Sequence, residues 1–405
     1  VTTAARALLF VVLARFVVHA LYVPAYEGPD EPFHLAYPKA LDGAIVASIA
    51  EHPCSADLQR AIHCPPFGTA PAEWNVLQFA APSRAGVPIA NYERHQPPGY
   101  YLIPSLLAIH NVMARLLAMR LFSVSLVLIA LLFPLHALAE SRGSQWHCAL
   151  LLALLIPGAA ESLARAANDS AVFLWTAIAV WAIDRRVPTP WLALTAAVGP
   201  LFKLTAIPIV ALLVLWTFFN RPRVHALIVA IASLVVLPLQ WLRGFAWGGT
   251  VELNVARAPF NETLLQSAKG LARSSYTFVK TGIWLGEWSF FRAPLWLLIA
   301  FALFAFFVIA SLARQRPLPQ WQPHAIALVI AIAATLWWFV SHRLFWGDWG
   351  GVGGWYAWAW LPWLAVVARD FFESSRARGL LISGAVLVLI ANVAWFVAAH
   401  HVYAP

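Results

Sequence analysis

Long apolar runs separated by short charged breaks repeat along the chain. The first covers 5–23; others lie at 116–138, 147–163, 170–183, 191–202, 204–219, 224–242, 293–313, 323–341, 354–369 and 380–399. A membrane helix needs about 20 apolar residues, so the pattern predicts an all-α polytopic membrane protein with about 11 transmembrane helices. The 191–219 region contains one charge, Lys203, and Gly199, Pro200 and Pro208 disfavour a straight helix, which predicts a hairpin of two short helices. Two polar stretches, 24–115 and 243–292, interrupt the runs and read as large outer loops of a single transmembrane domain over 1–405, the first carrying amphipathic helices. Tyr100–Met113 is apolar enough to tempt a further span. Counting it would invert every later loop, so it reads as a helix lying at, or re-entering, the outer surface.

Composition narrows the class. Of 405 residues, 61% are hydrophobic and 11% charged, less than half the charged share of a soluble domain. The formal charge of +9 has no soluble basic patch behind it, which excludes nucleic-acid binding. It follows the positive-inside rule instead. One set of alternate short loops carries Arg142, Arg185, Arg186, Arg221, Arg223, Arg314, Arg316, Arg369, Arg376 and Arg378; the opposite set carries only Arg165, Lys203 and Arg343. Ten against three predicts a cytoplasmic N-terminus and a periplasmic C-terminus. The first apolar run is long enough to stay as a span rather than a cleaved signal. The opening Val reads as a GTG start, a hint of a high-GC bacterium, and the expected location is a bacterial inner membrane.

Cys54 and Cys64 share the first outer loop. Their spacing permits a disulfide, two free thiols, or a zinc site with His52 and His63. Cys148 falls in a span and reads as packing. The sequons at Asn168 and Asn261 read as chance matches.

Four outer-face segments carry candidate chemistry. Asp30 and Glu31 stand just after the first span; a helix starting there places His34 on the same face. Adjacent carboxylates repel, which raises the pKa of one and suits it to proton transfer; a capping Asp with solvated neighbours is the alternative. Arg165, Asn168 and Asp169 share a short loop, either as a structural salt bridge or as a site. Lys203 stands alone between two short helices, snorkelling or functional. Arg343 precedes a cluster of Trp337, Trp338, Trp346, Trp349, Trp355 and Trp358 beside Tyr356, which reads as an interface belt or a sugar-stacking wall. No nucleotide-binding motif is present. Cations and a carboxylate base on one rim suit group transfer from a lipid-linked phosphate.

These segments, in this order, resemble the GT-C superfamily of polytopic glycosyltransferases, and specifically the bacterial relatives of the protein O-mannosyltransferases and the lipid A aminoarabinose transferase. The resemblance is carried by Pro29-Asp30-Glu31-Pro32-Phe33-His34, Gln96-Pro97-Pro98-Gly99-Tyr100-Tyr101, Arg165 to Asp169, Lys203-Leu204-Thr205, Trp284 to Trp288, and the Gly354 to Pro362 run. It covers most of 5–370. A bacterial branch of the superfamily often has Arg before the Tyr of the last motif; here Trp355 stands there and Arg343 is the substitute.

The resemblance implies an inverting transferase that moves a sugar from a polyprenyl-phosphate donor to an acceptor hydroxyl of a lipid, glycan or protein on the outer face. It implies Asp30 as general base, Glu31 as its assistant or a metal ligand, and Asp169 as the group positioning the acceptor or tuning Asp30. Arg165, Lys203 and Arg343 would hold the leaving phosphate, with Arg292 a further cation of that type. His34, His95, Asn168 and Tyr356 would contact donor or acceptor. Some relatives use a divalent metal (Mg, Mn or Zn), here held by Asp30, Glu31 and His34. Rival readings are a lipid-linked sugar flippase, an O-antigen ligase or polymerase using diphosphate donors, and a membrane scaffold.

Overall fold

A computed structural model of the chain describes residues 2–23, 31, 34, 46–47, 89–90, 96–106, 109, 112–143, 145–234, 262–284, 293–313, 321–346, 349, 353–374 and 377–403. Asp30, His95, Arg292, Cys54, Cys64, His52, His63 and Asn261 lie outside the described residues, as does the Gly286–Trp288 end of one motif.

The described chain is helical apart from one pair of two-residue strands, β1 (Val46–Ala47) antiparallel to β2 (Ile89–Ala90). The first helix, α1 (Thr3–Tyr22), starts where the Thr2 hydroxyl accepts from the Ala5 amide and stops at Val23, whose extended backbone suits the following proline. A short α2 (Leu102–Leu106) precedes α3 (Val112–Leu132) and α4 (Pro134–Arg142). Next come α5 (Gln145–Leu154), α6 (Pro157–Leu163), α7 (Asp169–Asp184), α8 (Thr189–Val198), α9 (Ile207–Asn220) and α10 (Arg223–Leu234). The later part contains α11 (Leu264–Ile283), α12 (Leu295–Ala313), α13 (Trp321–Trp346), α14 (Leu361–Val367), α15 (Arg369–Phe372) and α16 (Ala377–Tyr403).

Among the described residues, five helices are long and apolar enough to cross a membrane: Thr3–Tyr22, Ala114–Ser141, Leu295–Leu312, Gln322–Leu344 and Ala377–His400. A sixth is gained if α5 and α6, bent by 76°, are one broken span. Pro157 opens α6 and cannot donate to the preceding turn, which accounts for the break. Where they are described, the remaining apolar runs form helices of fewer than 18 residues, so length credits five or six spans among the described residues.

The 189–220 region is a hairpin. Arg221, after α9, donates to the carbonyls of Arg186 (3.0 Å) and Val187 (2.5 Å) just before α8, so the ends of the two helices away from the turn meet. The turn contains two 3-10 segments, Gly199–Leu201 and Leu204–Ala206, with Lys203 between them. The core packs α1, α3, α5, α7, α8 and α9 around Phe16, Trp146, Phe173, Leu192 and Leu213.

Charged groups sort to two ends of this bundle. At one end Glu373 accepts the Gln145 and Trp146 amides, Arg185 reaches the Ala137 carbonyl, and Arg369 pairs with Asp184 at 3.6 Å. The loops of the ten-Arg set that are described therefore sit together. The segment 243–292, expected as a loop, contains a 20-residue helix, α11, started by a Thr263–Gln266 capping box. That box is legible as Thr263 and Gln266 in sequence, and the loop reading overlooked it.

Candidate functional site

The opposite end of the bundle gathers five segments that are remote in sequence. Asp169 opens α7 and is fully buried. Its Oδ2 accepts from Arg165 at 2.7 Å and its Oδ1 from Lys203 at 2.8 Å. Arg165 is one turn earlier, so the short loop supplies it locally. Lys203 comes from the hairpin turn, where the interruption at Gly199–Pro200 lets a cation enter at that depth.

Both cations also meet aromatic faces. The Lys203 ammonium lies 4.4 Å from the Tyr356 ring centroid, and the Arg165 guanidinium 5.7 Å from that of Trp355. The 3-10 segment Gly354–Trp360 supplies both rings. Trp355, the departure from the resemblance pattern, thus stacks on a cation of the site.

A second ion pair adjoins the first. Glu31 is fully buried and bidentate: Arg120 donates from Nε to Oε1 at 2.8 Å and from Nη2 to Oε2 at 2.7 Å. The Ala166 amide also donates to Oε1 at 3.1 Å, which joins this pair to the Arg165–Asp169 loop. Arg120 further donates to the carbonyls of Ala20 (3.2 Å) and Val23 (2.6 Å), so it ends α1 and anchors Glu31 at once. Burial pushes the Glu31 carboxyl up, but the charge and hydrogen bonds of Arg120 outweigh it and hold the group below the usual carboxylate range. Among the described residues three cations (Arg120, Arg165, Lys203) pair with two carboxylates (Glu31, Asp169).

The Pro-Pro-Gly-Tyr-Tyr segment closes this end. The Gly99 amide donates to the Leu201 carbonyl at 2.9 Å, so close that a Cβ there would strike it. Asn168 bridges the same contact, donating to the Phe202 carbonyl at 3.0 Å and to Gln96 at 3.3 Å. Its side-chain oxygen is buried and has no hydrogen-bond partner among the described residues. Tyr101 and the His34 Nδ1 are 2.5 Å apart. The Tyr100 hydroxyl meets Ser123 at 2.9 Å.

The candidates divide accordingly. Glu31, His34, Asn168, Arg165, Asp169, Lys203 and Tyr356 come together. Arg343 is paired elsewhere: its Nε donates to Glu262 Oε1 at 2.5 Å, and Trp349 donates to Oε2 at 2.9 Å. It remains linked to the cluster through its own helix, where Trp338 lies 4.2 Å from the Tyr356 ring. Both Glu31 oxygens are committed to N–H donors, so that carboxylate is not presented as a metal ligand. Among the described residues no three His, Cys, Asp or Glu side chains gather as a metal site. The tryptophans have no single role: Trp349 and Trp355 are buried, whereas Trp337 is 66% exposed.

Arg120 and Glu262 are absent from the sequence-based candidates. A lone Arg inside the 116–138 apolar run was the available signal for the first. Glu262 had none, since its partners lie 81 and 87 positions away.

Comparison with family models, with curated proteins and with solved structures gives no match for this chain.

Proposed function

We propose that the protein is a GT-C-like membrane glycosyltransferase with 11 spans, acting on a polyprenyl-phosphate-linked sugar at the periplasmic face of a bacterial inner membrane. The observation that carries the reading is the convergence of Glu31, Gln96–Tyr101, Arg165–Asp169, Lys203 and Tyr356 at the end of the bundle remote from the ten-Arg loops.

In the proposed reaction an acceptor hydroxyl oxygen attacks the anomeric carbon from the side opposite the phosphate. The C1–O bond to phosphate breaks, and the lipid phosphate leaves with the electron pair. Asp30 takes the hydroxyl proton. The cations Arg165 and Lys203 favour the charge that develops on the leaving phosphate. Glu31 acts as a positioning residue: locked to Arg120, it fixes the chain next to Asp30. The open acceptor on Asn168 suits a sugar or acceptor hydroxyl.

The test is incubation of purified protein with synthetic polyprenyl-monophosphate and polyprenyl-diphosphate sugars. Transfer or hydrolysis from the monophosphate alone, abolished by Asp30→Asn in a folded variant, is expected. Full activity in Asp30→Asn removes that residue as the base, and turnover of the diphosphate alone points to a ligase or polymerase.

A flippase reading draws on a different observation. Arg15, His19 and Glu161 are buried within helices beside the broken α5–α6 pair, and buried charges on broken helices line transport paths. Movement of a labelled lipid-linked sugar across vesicles without transfer favours it.

A further inference from the structure

The helix α11 presents three distinct sides. Gly270, Ser274, Thr277 and Thr281 form its buried side. They receive Trp349 and the segment 353–358: Ser274 donates to the Trp349 carbonyl, the Gly354 amide donates to Thr281 at 2.8 Å, and Trp358 donates to the Gly282 carbonyl at 2.9 Å. A second side is apolar and exposed, with Leu264 at 88%, Leu265 at 65%, and Tyr276 and Val279 more than half exposed. Between them runs a basic edge of Lys269, Arg273 and Lys280, which share one flank at helical spacing. Lys280 lies over the Tyr276 ring at 5.7 Å, so this edge borders the apolar side directly.

The charge on this helix is one-signed. Leu264–Ile283 contains no Asp or Glu, and it holds two of the four lysines in the chain. Elsewhere arginine is the preferred cation, and ten arginines mark the loops of the opposite end, which hold no lysine. Lys269 and Lys280 therefore need a reason other than topology. A lysine stem can lie along apolar surface while its head reaches a polar layer.

We propose that α11 docks onto the bilayer surface and binds anionic phospholipid head groups. The apolar side enters the acyl boundary, and Lys269, Arg273 and Lys280 pair with head-group phosphates. Charge complementarity selects this occupant. A second copy of the chain meeting this side about a two-fold axis would set three cations against the same three cations. An acidic soluble partner would pair with the basic edge and leave Leu264 and Leu265 in water.

The consequence reaches the candidate site. The buried side of α11 holds the segment leading into Trp355 and Tyr356, whose rings face Arg165 and Lys203. A lipid phosphate gripped by the basic edge is thereby joined, through one helix, to the cation cluster. The proposal rests on the membrane reading and stands independently of the transferase reading.

The experiment titrates the full chain, purified in a neutral detergent, with phosphatidylglycerol or phosphatidylcholine and follows the thermal midpoint. Phosphatidylglycerol is expected to raise the midpoint saturably and phosphatidylcholine to leave it unchanged. The K269Q/R273Q/K280Q variant moves half-saturation to higher lipid by about fivefold per charge removed. Lys269→Gln alone, on an exposed side chain, is the variant of choice if the triple fails to fold, with about a fivefold shift. An unchanged phosphatidylglycerol response in Lys269→Gln overturns the proposal. So does a triple variant that shifts from dimer to monomer in light scattering while its lipid response stays intact, since the occupant is then a second copy.

Discussion

Lys203 in the hairpin turn and Asp169 at the start of α7 lie 34 positions apart and meet at 2.8 Å. Asp169 is thereby shared by two cations, because Arg165 holds its other oxygen. The two partners are not equivalent in what their removal leaves behind. Asp169→Asn leaves two buried cations facing one another, whereas Lys203→Met leaves a neutral Arg165–Asp169 pair. Asp169→Asn is expected to cost about 3–5 kcal/mol, the range for breaking a buried pair. Lys203→Met is expected to cost less, about 1.5–3 kcal/mol, the range for a charged hydrogen bond. Thermal midpoints in detergent rank them, and a Lys203→Met as damaging as Asp169→Asn contradicts the sharing.

Among the described residues Arg120 makes four hydrogen bonds from three nitrogens, two of them to Glu31. A lysine cannot reproduce that fork, since its ammonium is a single point. Arg120→Lys is expected to destabilise by about 3 kcal/mol even though the charge is kept. Hydrogen exchange at the end of α1, over Ala20–Val23, should rise in the same variant. Unchanged protection there would show that the helix end does not depend on Arg120.

How much of this was legible beforehand follows from separation along the chain. The apolar runs announce their helices, because twenty apolar residues in a row leave the backbone few alternatives. The Arg165–Asp169 pairing was within reach, since one helical turn joins them. Its completion by Lys203 was not, because nothing local says which of several outer cations meets Asp169. Arg343 shows the converse: grouped with Arg165 and Lys203 by residue type, it pairs with Glu262, whose place depends on where α11 docks. That helix was hidden in turn by its composition. Small, hydroxyl, apolar and basic residues on three sides average to a polar stretch and mask the period.

Glu262 gives the Arg343 contact a pH dependence. Hydrogen bonding to Arg343 holds its carboxyl below the ordinary value of 4.5, with Trp349 adding to the effect. A carboxylate with a depressed folded pKa contributes stability that is present above 4.5 and is lost as pH falls through the folded value. The thermal midpoint of the wild type should therefore drop below pH 4.5 by more than that of Glu262→Gln, which has no charge to lose. Parallel curves for the two proteins would remove the contact from the stability of this end.

Gly354 is where α11 comes closest to the 3-10 segment. A Cβ there would collide with the Phe278 carbonyl oxygen and the Gly282 amide, both backbone atoms that cannot rotate away. Gly354→Ala is thus expected to push α11 off its seat and cost about 3 kcal/mol, the upper end of overpacking. Gly379, in the first turn of α16, has nothing within 4 Å of the same position. Gly379→Ala should be neutral or stabilising by up to about 1 kcal/mol. A lower thermal midpoint for Gly354→Ala beside an unchanged or higher one for Gly379→Ala is the expected result, and equal midpoints would remove the backbone collision as a cause.

Asn392 joins the broken α5–α6 pair to a buried cation. Its Nδ2 donates to the Leu155 carbonyl at 2.7 Å, beside the break, and its Oδ1 accepts from Arg15 Nε at 3.0 Å. Arg15 is further held over the Trp395 ring at 4.1 Å, and Trp395 donates to Glu161 at 2.7 Å. The network thus runs from the break, across α16 and α1, back to α6. Asn392→Leu leaves both the Leu155 carbonyl and the Arg15 guanidinium without this partner, at an expected cost of about 3 kcal/mol. Arg15→Leu in the same background removes one of the two orphaned groups, so the double variant should regain part of the loss. Exchange at Ala159 and Ala160, whose amides donate to the Ile156 carbonyl at 2.9 and 3.3 Å, reports the break itself. Faster exchange there in Asn392→Leu, retained in the double variant, would assign the Leu155 contact to the bend and the Arg15 contact to charge burial. Full recovery of both signals on removing Arg15 would show instead that the bend is set by Pro157 alone.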